Sequence, residues 1–238
     1  MIKITNTEVF GWEAAIRGMR NPMNSWEKSD SDWNYDCFEY DFAEYRTKDE
    51  YEIGPNDKNL MMRLVMAGDE HAKFMRMIHV QMDILAPLYW WKQADTYKVG
   101  FITNSCSTMH KIQAKEFVWD DFSNEHLDDE HICATEDPTY KLGDFYLPEY
   151  TAADIQTLTI EAINYYRKRY LESKDKKYWW QMIQLLPDSY NQLRTCDTNY
   201  ATLRKMYHQR KGHRLDEWTS FNEWVEDLPY SELITAEE

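Results

Sequence analysis

The stretch that begins at Thr151 constrains the fold most. Thr151-Ala-Ala-Asp154 has the form of a capping box, with Asp where Glu or Gln is more usual. Behind it Ile155, Leu158, Ala162, Ile163, Tyr166 and Tyr170 recur at helical period. One side of a helix several turns long must therefore be buried against another layer. Arg167, Lys168 and Arg169 lie on its far turns. Trp179 to Leu186 predicts a second apolar helix, ended by Pro187, and residues 215–227 predict a third, with Trp218, Phe221, Trp224 and Val225 on one face. Strands accompany them. Val80 to Leu85 alternates as a core strand does and stops at Pro87, and residues 1–10, with Ile2 and Ile4 among polar neighbours, predict a short one. Trp12 to Met19 predicts a short helix, and residues 58–79 a helix broken near Gly68.

At 238 residues the chain has the length of one domain, or one domain with elaborations. The span 1–238 is expected to be a single domain with an acidic insertion around 119–137, where eight acids meet no Lys or Arg. From Glu27 to Glu52 ten acids against three bases interleave with Trp33, Tyr35, Phe38, Tyr40, Phe42 and Tyr45, which predicts strand or loop packed by its aromatics. Ten Trp and seventeen Tyr suit a core, a subunit interface or a pocket for a flat ring. Cys37, Cys106, Cys133 and Cys196 form no Cys-x-x-Cys, which fits a reduced, cytoplasmic setting. Cys106 is expected to be buried. The opening residues carry no long apolar core, so no signal peptide is expected, and no run approaches a membrane span. A formal charge of −15 speaks against binding a nucleic-acid polymer through its backbone.

Against that charge, Arg204 to Arg214 holds five Lys/Arg, two His and no acid. Thr198 can cap a helix here, and Leu203, Met206 and Tyr207 share an apolar face with Arg210 about one turn on. Gly212 stands where a helix stop would. The block is either a solvated basic face or the cationic wall of an anion site. Metal and nucleophile motifs are absent. His126/His131 and His208/His213 are each five apart, which puts neither pair on one helix face, and no Gly-x-Ser-x-Gly or Gly-rich phosphate loop occurs.

The order Leu186-Pro187, Asn199, Leu203, Arg210, His213, then Asp216-Glu217-Trp218 resembles the C-terminal part of the flavin-dependent thymidylate synthases. In that family a Leu-Pro precedes an Asn that opens a helix ending in Leu-Arg, followed by Ala-Gln-x-Glu-Ile. A second block, residues 59–87, agrees in order: Leu60 and Leu64, Ala67-Gly68, Glu70-His71, Phe74, then an apolar strand to Ala86-Pro87. The family's next element is Arg-Gln-x-x-Arg-His-Arg. Here Lys92-Gln93 stands for Arg-Gln and Thr96-Tyr97-Lys98 for Arg-His-Arg, so the most specific motif is altered. The resemblance covers roughly residues 59–111 and 185–220.

The resemblance implies a mixed α/β (α+β) fold, a mostly antiparallel sheet flanked by helices. It also implies a homotetramer with FAD and deoxyuridylate sites shared between subunits. The implied chemistry is methyltransferase-type: a one-carbon unit moves from methylenetetrahydrofolate to C5 of a pyrimidine nucleotide, and the flavin is the hydride donor. On the cofactor side it points to Asn199, His213, Lys92, Lys98 and His71, with Arg214 interchangeable with His213 and Asn199 equally able to cap its helix. On the substrate side it points to Arg210, Gln93, Ser105 and Ser107. Arg194 is a substitute for a family Arg whose position here is Ile183. The alternative is a noncatalytic nucleotide-binding or assembly protein that keeps the fold without the signature.

Overall fold

The computed structural model describes residues 2–40, 43–130, 141–142, 145–146 and 150–237, those of 34–50 and 141–146 by backbone alone. In chain order the elements are β1 (Lys3–Phe10), α1 (Trp12–Arg20), β2 (Asp32–Tyr40), β3 (Ala43–Glu52), α2 (Pro55–Met66), β4 (His79–Pro87), α3 (Leu88–Ala94) and β5 (Ile102–Ser105). There follow β6 (Lys141–Leu142), β7 (Phe145–Tyr146), α4 (Ala152–Ser173), α5 (Lys176–Leu185), β8 (Asn191–Asn199), α6 (Tyr200–Arg210), α7 (Asp216–Glu226) and α8 (Glu232–Thr235). The architecture is mixed α/β, an antiparallel sheet flanked by helices, with strand order β1-β4-β8-β5. In the acidic, aromatic stretch after Glu27, β2 pairs antiparallel with β3 from Asp32↔Glu52 to Tyr40↔Ala43, with a register shift between Asn34 and Tyr35. Among the described residues no helix is long and apolar enough to cross a membrane.

Contacts divide the chain into two compact units. The first comprises Met1–Lys3, Leu85–Ala94 and Ser105–Arg194. Its long helix α4 starts as the capping box predicts: Thr151 accepts from the Asp154 N–H, and Asp154 accepts from the Thr151 N–H at 3.0 Å. The buried face differs from the expected one at its start. Ile160 and Ile163 pack with Met182 of α5 and with Ile112, Phe117 and Phe122, whereas Ile155 and Leu158 are 47% and 49% exposed. Asn164 fixes this packing, since its side chain both accepts from the Phe117 N–H at 2.9 Å and donates to the Phe117 carbonyl at 2.8 Å. The start of the acidic stretch is anchored rather than merely exposed. Phe122 is buried and bridges Tyr190, while residues 131–137 lie outside the described ones. Cys106, expected inside, is exposed, and its N–H donates to the Leu193 carbonyl; residue 106 follows an edge strand, so a backbone bond rather than side-chain packing holds it.

The second unit comprises Ile4–Ile84, Asp95–Asn104 and Thr195–Glu238. Val80, Met82 and Ile84 of β4 are fully or nearly fully buried, as are Tyr200, Leu203 and Met206 of α6 and Trp218, Phe221 and Val225 of α7. Gly11, at φ +97°, lets α1 start in contact with the chain at Met77, whose carbonyl oxygen would lie 2.1 Å from a Cβ there. The expected break at Gly68 is present, at φ +104°. Arg20 at the end of α1 and Asp57 in the first turn of α2 form a buried pair at 2.6 Å.

Candidate functional site

The second unit gathers its polar groups where β8 passes into α6. Here the expected cap shifts by one residue. Asn199, not Thr198, caps α6: its Oδ1 accepts from the Thr202 N–H at 3.0 Å. Thr198 is almost fully buried and donates instead to the Gly100 carbonyl at 2.8 Å. Strand geometry decides between these neighbours, because alternate residues of β8 turn inward and Thr198 takes an inward position. With Oδ1 committed to the cap, the Asn199 Nδ2 donor lies beside Gly100.

Gly100 and Asn199 border a cleft of about 410 Å³. Ala72, Met75, Val99 and Ala201 supply apolar wall, Thr96 and Tyr97 line it, and the cations are Arg76, Lys98, Arg204 and Lys205 against one acid, Asp69. Gly100 has φ +84°, and a Cβ there would meet Thr202 Oγ1 at 2.4 Å and Asn199 Nδ2 at 3.1 Å. Gly100→Ala is therefore expected to destabilise the protein by at least about 1–2 kcal/mol from the left-handed backbone alone. Urea denaturation measures the loss. The double variant Gly100→Ala, Thr202→Ala should recover part of it, because the closest colliding atom is gone; an unchanged midpoint in Gly100→Ala would contradict this packing.

Beside the cleft Arg210, the last residue of α6, is held as a plane. Its Nε–H donates to the Tyr97 hydroxyl at 2.9 Å, and its guanidinium carbon lies 5.4 Å from the Tyr97 ring centre and 4.7 Å from that of Trp218. Trp218 is fully buried and in edge contact with Phe221 at 5.4 Å and His213 at 6.3 Å. His213 Nδ1 accepts from the Leu215 N–H at 3.1 Å, which leaves the neutral ring its proton on Nε2. Burial, then the charges of Arg210 and Arg214, push the His213 ring below the ordinary imidazole value and keep it neutral near pH 7.

Much of the basic block serves the chain itself. Arg204 is buried and donates to the carbonyls of Ile234 and Ala236 at 3.1 and 2.6 Å; His208 Nε2 lies 3.1 Å from the Ile234 carbonyl, and Lys211 pairs with Glu237 at 2.6 Å. These side chains tie α8 and the residues after it to α6 and Lys211, a role the local sequence does not reveal because the partners lie over twenty residues on.

Of the residues singled out in the sequence, Asn199 and Lys98 line the cleft, and Arg210 and His213 share Trp218. His71 is exposed, 3.8 Å from Glu70. Lys92, Gln93, Ser105, Ser107 and Arg194 belong to the first unit. There Lys92 pairs with Asp188, Ser107 Oγ accepts the N–H groups of Met109 and His110, and Arg194 stacks over Trp91 at 4.1 Å while donating to Gln192. Ser105 ends β5, on the exposed side. Gly100, Thr202 and Arg76 are cleft residues that the sequence did not flag, and Lys205 stood out only as part of the basic block. The signal for Gly100 was present: a glycine close after the altered signature in a chain with only seven.

No protein-family model matches the sequence, and no curated protein matches it. Solved structures do share its fold. A crystal structure of thymidylate synthase X from Helicobacter pylori with FAD and dUMP superposes with TM-score 0.62 at 13% identity, over 98% of this chain and 96% of that one. A second structure of the Helicobacter pylori flavin-dependent enzyme, also with FAD and dUMP, gives TM-score 0.61 at 13% identity, over 97% and 96%. The UMP/dUMP methylase PolB from Streptomyces cacaoi, bound with 5-Br dUMP, gives 0.54 at 13%, over 98% and 93%.

Proposed function

We propose that this chain is a divergent member of the flavin-dependent thymidylate synthase family. It binds FAD and a pyrimidine deoxynucleotide, dUMP or a related one, and moves a one-carbon unit to C5 of the base, with methylenetetrahydrofolate as the donor to test first. The observation that carries the reading is local. Asn199, Lys98 and Tyr97, which the sequence aligns with the family's signature positions, border one cleft, and Arg210 stacks on Tyr97 beside it. The shared fold supports it, since the two Helicobacter pylori structures hold FAD and dUMP and the Streptomyces protein holds 5-Br dUMP.

The residues fit a flavin. The cleft offers apolar surface for a flat ring and an amide donor at Asn199 for a ring edge. When bound, the reduced flavin supplies the hydride. Lys98 adds a cation that stabilises an anionic ring, although without the paired hydrogen bonds of an Arg. Neutral His213 offers an N–H donor. Arg210 orients an oxygen-bearing group of the nucleotide. No side chain has to act as nucleophile. Lys92 and His71 remain further cofactor candidates, and Gln93, Ser105, Ser107 and Arg194 further substrate candidates. The protein is expected to be cytoplasmic and a homotetramer.

A second reading, a noncatalytic nucleotide-binding or assembly protein, is favoured by one observation: Thr96 and Tyr97 stand where the family has Arg and His. Incubation with FAD followed by gel filtration tests the flavin reading. Flavin absorbance retained in proportion to protein, and reduced in Asn199→Ala and Lys98→Ala, is expected. A protein that retains no flavin and binds no pyrimidine nucleotide would rule the enzyme out.

A further inference from the structure

Tyr97 has a place in the site that its poor match to the family signature would not suggest. Arginine is a costly side chain to immobilise, because each ordered rotamer-rich group takes its entropy from the binding free energy. Contacts with Trp218 and Tyr97 already meet part of that cost at Arg210 before a ligand arrives. The Trp218 ring supports one side of the guanidinium at 4.7 Å, and Trp218 itself is immobile, fully buried and in edge contact with Phe221, His213 and Tyr97. The Tyr97 ring supports it at 5.4 Å. The Tyr97 hydroxyl accepts the Nε–H at 2.9 Å, and that bond restrains the rotation of the plane, which ring contact leaves looser. Tyr97 also lines the cleft, so one residue touches both the ligand space and the cation beside it.

We propose that Tyr97 is a positioning residue: its hydroxyl locks the Arg210 guanidinium in one orientation for the oxygen acceptors of a pyrimidine nucleotide. The inference rests on the nucleotide reading given above and adds the device that makes a single Arg selective. It also gives the altered signature a use. A phenol in place of an imidazole is always an available acceptor near neutral pH, whereas an imidazolium would repel Arg210.

Tyr97→Phe separates the hydroxyl from the ring, since stacking survives and only the Nε–H acceptor is lost. Its dUMP affinity is expected to fall roughly three- to tenfold, the entropy of one immobilised side chain, with melting temperature unchanged. Tyr97→His, which restores a ring acceptor, should regain most of the loss above the titration of that imidazole. Deoxyuridine, measured alongside, locates the contact: a loss seen with dUMP alone assigns it to the phosphate, and an equal loss with both assigns it to the base, either of which bears the proposal out. A fall in melting temperature that accounts for the lost affinity would overturn it, as would equal dUMP affinity in wild type and Tyr97→Phe. A ligand-free measurement keeps the inference separate from the nucleotide reading. In ¹⁵N-labelled protein the Arg210 Nε–H resonance is expected to be slowly exchanging and to broaden or vanish in Tyr97→Phe. If wild type binds no dUMP the nucleotide reading fails, and an Nε–H signal that persists in Tyr97→Phe shows that the lock is absent as well.

Discussion

Asp57→Ala is expected to lower stability by about 3–5 kcal/mol, the cost of leaving a buried guanidinium without its carboxylate. Arg20 is 3% exposed and Asp57 not at all, with Nε and Oδ1 2.6 Å apart. Asp57 Oδ2 also accepts from the hydroxyls of Ser29 and Ser31 and from the N–H groups of Asp30 and Ser31, while Arg20 donates to the carbonyls of Ser25 and Lys28. One carboxylate thus fixes the whole connection from α1 to the start of β2 onto α2. Urea denaturation monitored by tryptophan fluorescence measures the loss. Arg20→Ala should be comparably damaging, and the double variant less so than the sum of the two, because neither charge is then left alone. A loss below about 1 kcal/mol in Asp57→Ala would contradict this account of the node. The pH dependence follows from the same contacts. Burial pushes the Asp57 carboxyl up, but the hydrogen bonds from Ser29, Ser31, Arg20 and the Asp30 N–H outweigh it and hold it below its ordinary value. A carboxylate depressed in the folded state contributes fully above its unfolded pKa, about 3.9, and loses that contribution as pH falls through the folded value. The stability gap between wild type and Asp57→Ala is therefore expected to narrow only below about pH 4.

Arg210→Ala is expected to weaken dUMP binding roughly 10- to 100-fold, the range for losing a hydrogen-bonded charge contact in a partly dry site. Arg210→Lys should recover only a fraction of that, because an ammonium can neither present two parallel N–H groups nor offer a planar group to the Trp218 ring, 4.7 Å from the guanidinium carbon. Both variants should fold, since Arg210 is only half-buried and Trp218 keeps its contacts with Phe221. Isothermal titration calorimetry with dUMP measures the affinities directly. Equal affinity in wild type and Arg210→Ala would remove Arg210 from the substrate site.

Elements with strong local chemistry were legible in the sequence. The Thr151 capping box, the left-handed glycines at 68 and 212, and the alternation of β4 all appear where the residues put them, while α4 is a helix as its period predicts but buries Ile160 and Ile163 rather than Ile155 and Leu158. β8 did not declare itself, although it is the strand that carries the site. Its inward positions are Gln192, Cys196 and Thr198, so alternation of burial is not alternation of hydrophobicity. α3 was not legible either; its buried Trp90, Trp91 and Ala94 do have helical spacing, but seven residues after a proline are too few for a period to stand out. The basic block fitted either a solvated face or one anion site because a sequence shows charge density and not distant partners. Arg204, His208 and Lys211 turn toward residues 234–237, and what is left beside the cleft is a smaller set. Asn199 and Lys98 were found through resemblance. Thr202, whose N–H the cap satisfies and whose hydroxyl crowds Gly100, becomes visible only when β8 and α6 are folded together.

The central claim, a flavin-dependent reaction at C5 of a pyrimidine nucleotide, predicts that the C5 hydrogen leaves. The direct measurement is tritium release to water from [5-³H]dUMP by the FAD-loaded protein with methylenetetrahydrofolate and a reductant, in wild type and in Arg210→Ala. Release that requires flavin and is lost or strongly reduced in Arg210→Ala is the expected result. A protein that binds both FAD and dUMP yet releases no tritium would contradict the claim and favour the noncatalytic nucleotide-binding role.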